Sequence, residues 1–137
     1  MRYLQLAAAS LATLLACVAC TTAQPPQATP AASALAGDPK AGAALFEASC
    51  EACHANGIGP NLRGVVGRPV ASVADFPGYT DALKAKAGQT WTKESLDAFF
   101  TDAQAYVPGT AMTVILPDAQ ERANIIAYLA SLPPSQQ

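Results

Sequence analysis

The sequence predicts an all-α domain organised around five residues, Cys50-Glu51-Ala52-Cys53-His54. Three observations carry that prediction. No stretch alternates apolar and polar residues for long enough to make a strand. Residues at helical spacing recur near both ends of the domain, with Gly42, Phe46 and Cys50 on one face and Ile125, Tyr128, Leu129 and Leu132 on another. The five residues themselves spell Cys-x-x-Cys-His, the attachment sequence of a c-type haem.

The spacing has a mechanical reason. Residues at i, i+3 and i+4 of a helix share a face, so Cys50, Cys53 and His54 point the same way. Two thiols then reach the two vinyl groups on one edge of a porphyrin, and the imidazole lies under the iron. The competing readings are a thioredoxin-like redox pair, a zinc half-site and two chance cysteines. A thioredoxin site would follow a βαβ pattern, which is missing. A closed zinc site wants four ligands, and the other two cysteines, Cys17 and Cys20, lie in the N-terminal apolar stretch.

The 137 residues hold one domain and little else. Residues 1–20 read as a leader: Arg2 supplies one positive charge, and an uncharged run from Leu4 to Cys20 follows. Leu14-Leu15-Ala16-Cys17 looks like a lipobox, which makes Cys17 a lipidation candidate; Cys20, in Cys17-Val18-Ala19-Cys20, is a weaker one. Plain cleavage after Ala23 also fits. So does an uncleaved membrane anchor, although the apolar run falls slightly short of the roughly 20 residues that span a bilayer. Residues 21–36, TTAQPPQATPAASALA, are uncharged and proline-rich, and form a flexible tether able to reach about 50 Å when extended. Residues 37–137 form the folded domain. At about 100 residues its own core is marginal, and a covalently held haem would supply much of the missing apolar interior.

Within that domain Asp38 caps and Pro39 starts the first helix, which runs into the haem motif. Gly42 in its interior costs roughly 1 kcal/mol against alanine, which suggests a close helix crossing. Residues 55–69, rich in glycine and proline, form a structured loop. Two short helices follow, from Tyr79 to Ala87 and from Lys93 to Asp102. Thr92 caps the second of them, and Leu96, Phe99 and Phe100 form its apolar stripe. Pro117 and Asp118 open the last helix, with Asp118 and Glu121 placed like a capping box, and Pro133-Pro134 stops it. The last helix should cross the first on its Gly42 and Phe46 face.

CEACH followed by GPNLRGVVGR resembles the class I c-type cytochromes, in their mitochondrial-like bacterial branch. The likeness continues through Phe76 to Leu83, Gln89 to Thr92, Tyr106 to Met112 and Glu121 to Leu132, so it covers nearly all of residues 37–132. It implies the small cytochrome c fold, helices and loops wrapped round one covalent haem c held by Cys50 and Cys53. It also implies that the Pro60 carbonyl accepts a hydrogen bond from His54 Nδ1, and that Arg68, Tyr79 and Trp91 meet the haem propionates. Thr110 belongs to the Pro-Gly-Thr-x-Met loop that presents Met112 as the second axial ligand opposite His54. Phe99 stands where the family often has tyrosine, and Ala111 where it usually has lysine. Since bacterial haem attachment in this family takes place outside the cytoplasm, the resemblance implies export to the periplasmic side of a membrane, lipid-anchored or soluble.

Counting sharpens the ligand set. His54 is the only histidine, and Met112 the only methionine beyond the leader, so two histidines of one chain cannot close the iron. A six-coordinate iron has no open position for a substrate. The expected function is therefore a one-electron carrier and not an enzyme. Its expected partners are redox proteins: a quinol-oxidising complex, a terminal oxidase, or a dehydrogenase of which the chain would be the electron-accepting subunit. A haem-based sensor or peroxidase is the further alternative if Met112 is displaced. Loss of Arg2 with the leader would leave seven basic residues against ten acidic ones. No nucleic-acid partner is expected, and the lysine ring of mitochondrial relatives is not reproduced.

Overall fold

The computed structural model describes residues 35–135; Cys17, Cys20, the leader and the tether up to residue 34 lie outside the described residues. Among the described residues six helices follow one another: α1 Pro39–Ser49, α2 Glu51–His54, α3 Asp81–Lys84, α4 Lys93–Thr101, α5 Ala103–Tyr106 and α6 Ala119–Ser131. Among the described residues extended pairing is confined to isolated bridges such as Pro69 with Thr90. Among them also, no helix is long and apolar enough to cross a membrane.

The α1–α6 crossing holds the two ends of the domain together. Asp38 adopts an extended backbone and accepts the Lys40 N–H at 2.8 Å, with Pro39 in the first turn. Gly42 is buried, and a Cβ there would fall on the carbonyl oxygen of Asn124 and lie 2.9 Å from Tyr128 Cβ. The glycine is therefore what lets the two backbones meet. One turn later Phe46 packs on Tyr128, ring centroids 5.3 Å apart. The chain is also bolted to α6 before α1 begins: Asn124 Oδ1 accepts the Asp38 N–H at 2.9 Å, and Gln120 Nε2 donates to the Ala36 carbonyl at 3.0 Å. Ile125, Ile126 and Leu129 are buried, each contributing about 1.5–3 kcal/mol of apolar transfer.

Several boundaries differ from those the sequence suggests. The motif does not continue α1: Cys50, at φ −122° and ψ −35°, breaks the helix and starts α2. The helix expected from Tyr79 to Ala87 is only Asp81–Lys84. Beyond it the chain turns back on the 67–70 segment, where Arg68 O accepts the Trp91 N–H at 3.0 Å, and Val70 donates to the Gln89 carbonyl at 2.8 Å. Between Lys84 and Gln89 the helical bonds give way to tighter turns, with Lys86 N–H on Leu83 O at 3.0 Å, Ala87 N–H on Lys84 O at 2.9 Å and Gln89 N–H on Lys86 O at 3.0 Å. The next helix ends where expected, at Asp102 with ψ 100°, but that residue also caps an additional short helix, α5, by accepting the Ala105 N–H at 2.9 Å. At α6 only half of the expected capping box forms, Asp118 accepting from Glu121 N–H at 2.8 Å. The reciprocal box sits on α4, between Thr92 and Ser95, at 3.1 and 2.8 Å.

Arg122 fastens α6 to the rest. It is buried, its Nε donates to Asp97 of α4 at 2.7 Å, and its Nη1 donates to the carbonyls of Leu116 and Pro117 at 2.8 and 2.9 Å. Together with the Leu116 N–H bonded to Phe100 O at 2.9 Å, this fixes the strap that follows Met112. Val65, Trp91, Leu96, Phe99, Phe100 and Leu129 belong to one buried cluster, and each also lines a single cavity.

Candidate functional site

The cavity has a volume of about 250 Å3, and all nine residues the sequence singles out in the domain line it. The motif contributes three of them from one helical turn. The Cys50 carbonyl accepts the Cys53 N–H at 3.2 Å and the His54 N–H at 3.0 Å, so the three side chains project from a single turn as the spacing requires. Cys50 and Cys53 form no disulfide with one another. They differ in setting: Cys53 is exposed, whereas burial, reinforced by the neighbouring Cys53, pushes the Cys50 thiol up to about 11.

His54 is half-buried, and its Nδ1 lies 2.8 Å from the Pro60 carbonyl. A carbonyl only accepts, so Nδ1 carries the proton and Nε2 keeps its lone pair. Burial lowers the imidazole below its ordinary 6.5, opposed by the Pro60 bond. The ring is thus held neutral and in one tautomer. The loop passes close beneath it: Gly59 N–H bonds to Cys53 O at 3.0 Å, and a Cβ on Gly59 would sit 2.7 Å from Nδ1 and Cε1 of His54.

Thr110 and Met112 reach the cavity from the loop that follows α5. Thr110 is buried, its N–H bonds to Val107 O at 3.0 Å, and its Oγ1 accepts the Met112 N–H at 3.3 Å. Met112 is half-buried and joins the apolar cluster. The buried Trp91 packs on Phe99 with centroids 5.1 Å apart and approaches Tyr106 at 6.4 Å.

Arg68 is half-buried and donates to the carbonyls of Asn61 and Arg63 at 2.8 and 3.0 Å, which fixes the guanidinium at the cavity. Burial lowers its pKa, opposed by Tyr79. Tyr79 meets Phe76 edge-on at 4.9 Å, and its hydroxyl accepts the Val73 N–H at 3.4 Å.

Two contributors escape a reading of the sequence. Gln104 on α5 bonds to three residues of the Met112 loop, and no motif marks it. Ala71, which lines the cavity, has a left-handed backbone at φ +55° where a turn would ordinarily call for glycine.

The donor set fits a covalently attached haem. Two thiols and a neutral imidazole with a free Nε2 line an apolar cavity that also receives a thioether, a cation and a phenol. Comparison with known proteins points the same way. The family model for cytochrome c matches residues 39–133. The chain is 46% identical over 104 residues to cytochrome c-type cyt cy of Rhodobacter capsulatus, an alignment covering 72% of this chain and 51% of that protein, so this chain spans about half the length of that relative. It is 39% identical over 103 residues to cytochrome c2 of Rhodomicrobium vannielii, covering 70% of this chain and 80% of the relative. Among solved structures it is similar to cytochrome cH from Methylobacterium extorquens, with a TM-score of 0.63 at 41% identity, covering 69% of this chain and 99% of that one. The chain belongs to the cytochrome c family, whose members bind a covalent haem c and transfer electrons rather than catalyse a reaction on a substrate.

Proposed function

We propose that this protein is a one-electron carrier, with Cys50 and Cys53 joined to haem c as thioethers and the iron held between Nε2 of His54 and the sulfur of Met112. A single observation supports this ligation above the rest. The chain has one histidine and, beyond Met1, one methionine, and both line the cavity that carries the cysteine pair.

A bound haem supplies an iron that takes up and gives back one electron. The residues do the remaining work. Pro60 holds the His54 proton on Nδ1, which leaves the Nε2 lone pair free and raises its basicity as a ligand. Thr110 ties down the Met112 backbone. Arg68, Tyr79 and Trp91 offer a cation, a phenol and an indole N–H to the propionate carboxylates. Leu96, Phe99 and Phe100, all buried at the cavity, exclude water, and a dry setting with a thioether ligand favours the uncharged ferrous side of the couple. With His54 and Met112 both holding a bound haem's iron, no position on it would be left for a substrate.

For partners we favour electron transfer between a quinol-oxidising complex and a terminal oxidase, on the periplasmic side of a bacterial membrane, with Cys17 or Cys20 as the lipid attachment point.

Carbon monoxide tests the ligation. Reduced wild-type protein should not bind it rapidly at neutral pH, and the ferric form should show the weak methionine–iron absorption band. Met112→Ala should lose the band and bind the gas. Rapid binding by the wild type, or a missing band, would point to a sensor or peroxidase instead.

A further inference from the structure

The loop that presents Met112 is held by a side chain outside it. Gln104 stands on α5, whose single turn is capped by Asp102 at one end and closed at the other by the Val107 N–H bonded to Ala103 O at 2.9 Å. From there its amide reaches three backbone groups of the loop. Its Oε1 accepts the Gly109 N–H at 3.3 Å, and its Nε2 donates to the carbonyls of Thr110 at 2.7 Å and Met112 at 3.3 Å. The amide orientation is determined by these partners, because turning it over would set NH2 against an N–H and oxygen against two carbonyls. With Thr110 Oγ1 accepting the Met112 N–H, both backbone polar groups of Met112 are engaged, one through Gln104.

We propose that Gln104 is a positioning residue for Met112, a clamp that sets how often the sulfur ligand leaves the iron; this rests on the His54–Met112 ligation proposed above. Glutamine suits the task because its amide carries donors and an acceptor together. Glutamate would keep only the Gly109 bond, and lysine only the two carbonyl bonds. Gln104 is exposed, so water competes for every bond and each contributes modestly. Removing the amide should therefore accelerate loop opening by about tenfold without unfolding the domain.

The test uses the haem-loaded protein as wild type, Gln104→Ala and Gln104→Glu. Two quantities are read: amide hydrogen exchange at Gly109 and Met112, and the rate at which added imidazole binds the ferric iron. In Gln104→Ala both amides should exchange about tenfold faster and imidazole should bind faster by a similar factor, with the unfolding midpoint and the amides of α6 nearly unchanged. In Gln104→Glu the Gly109 amide should stay protected while Met112 exchange and imidazole binding rise. Exchange at both loop amides within twofold of wild type in Gln104→Ala would overturn the clamp. Faster exchange with imidazole binding equal in all three proteins would overturn the proposal through the ligation on which it rests, since the loop would then open without releasing a ligand.

Discussion

The carbonyl of Pro60 sits 2.8 Å from Nδ1 of His54, and Gly59, immediately before it, leaves no room for a side chain beneath the imidazole. An alanine there would bring its Cβ to 2.7 Å from two ring atoms, and the ring or the loop must move. Either movement lengthens the Pro60 bond. If His54 ligates the iron as proposed, a weaker bond makes its imidazole a poorer donor to the ferric form. Gly59→Ala should therefore raise the midpoint potential, by roughly 20–60 mV if about half to all of one hydrogen bond's net strength is lost. Potentiometric titration of both proteins measures this, and an unchanged or lowered potential would refute it.

The Arg122–Asp97 pair gives a stability prediction with an asymmetry. Arg122 has a side chain only 10% exposed, whereas Asp97 is 38% exposed. Losing Asp97 leaves Arg122 with both carbonyl partners, and solvent can reach the site. Asp97→Ala should cost about 1 kcal/mol. Arg122→Met removes the donor for Leu116 O and Pro117 O as well, and should cost about 2–4 kcal/mol. Denaturant unfolding of the two haem-loaded variants gives the ratio; equal losses would mean that the carbonyl bonds contribute nothing.

Ala71 offers the opposite sign. A left-handed backbone costs a non-glycine residue about 1–2 kcal/mol, and Ala71 stands at φ +55°. Glycine relieves that strain but adds about 0.5–1 kcal/mol of unfolded-chain freedom. Relief is the larger effect, so Ala71→Gly should stabilise the protein by about 0.5–1 kcal/mol. A lower unfolding midpoint for the variant would show that the Ala71 methyl, which lines the cavity, matters more than its backbone.

Local patterns in the chain announced some of these features and were silent on others. Gly42 was legible because it interrupts a helix at the spacing that faces α6, and glycine there has few purposes besides close approach. Cys50, Cys53 and His54 were legible because covalent geometry dictates their spacing. The end of α4 at Asp102 was legible, but the short helix α5 directly after it was not. It forms because the Asp102 carboxylate accepts the Ala105 N–H. The helix expected up to Ala87 gives way after Lys84 to i−3 turns, and the chain beyond it pairs with Arg68 and Val70, some twenty positions earlier. Gln104 could not be found at all from the sequence, because its partners are backbone groups brought to it by the fold.

One consequence follows from the way the core is arranged. Val65, Trp91, Leu96, Phe99, Phe100 and Leu129 are at once the protein's buried cluster and the lining of its cavity. These side chains form a wall, and what they enclose is the cofactor's place. Attachment and maturation are then thermodynamically one event, because whatever binds the native state alone adds its binding energy to folding. A newly made chain that misses its haem lacks that contribution to folding, so it visits its unfolded state more often, where housekeeping proteases can cut it. Survival in the cell would itself certify that a copy is redox-competent, without any dedicated inspector.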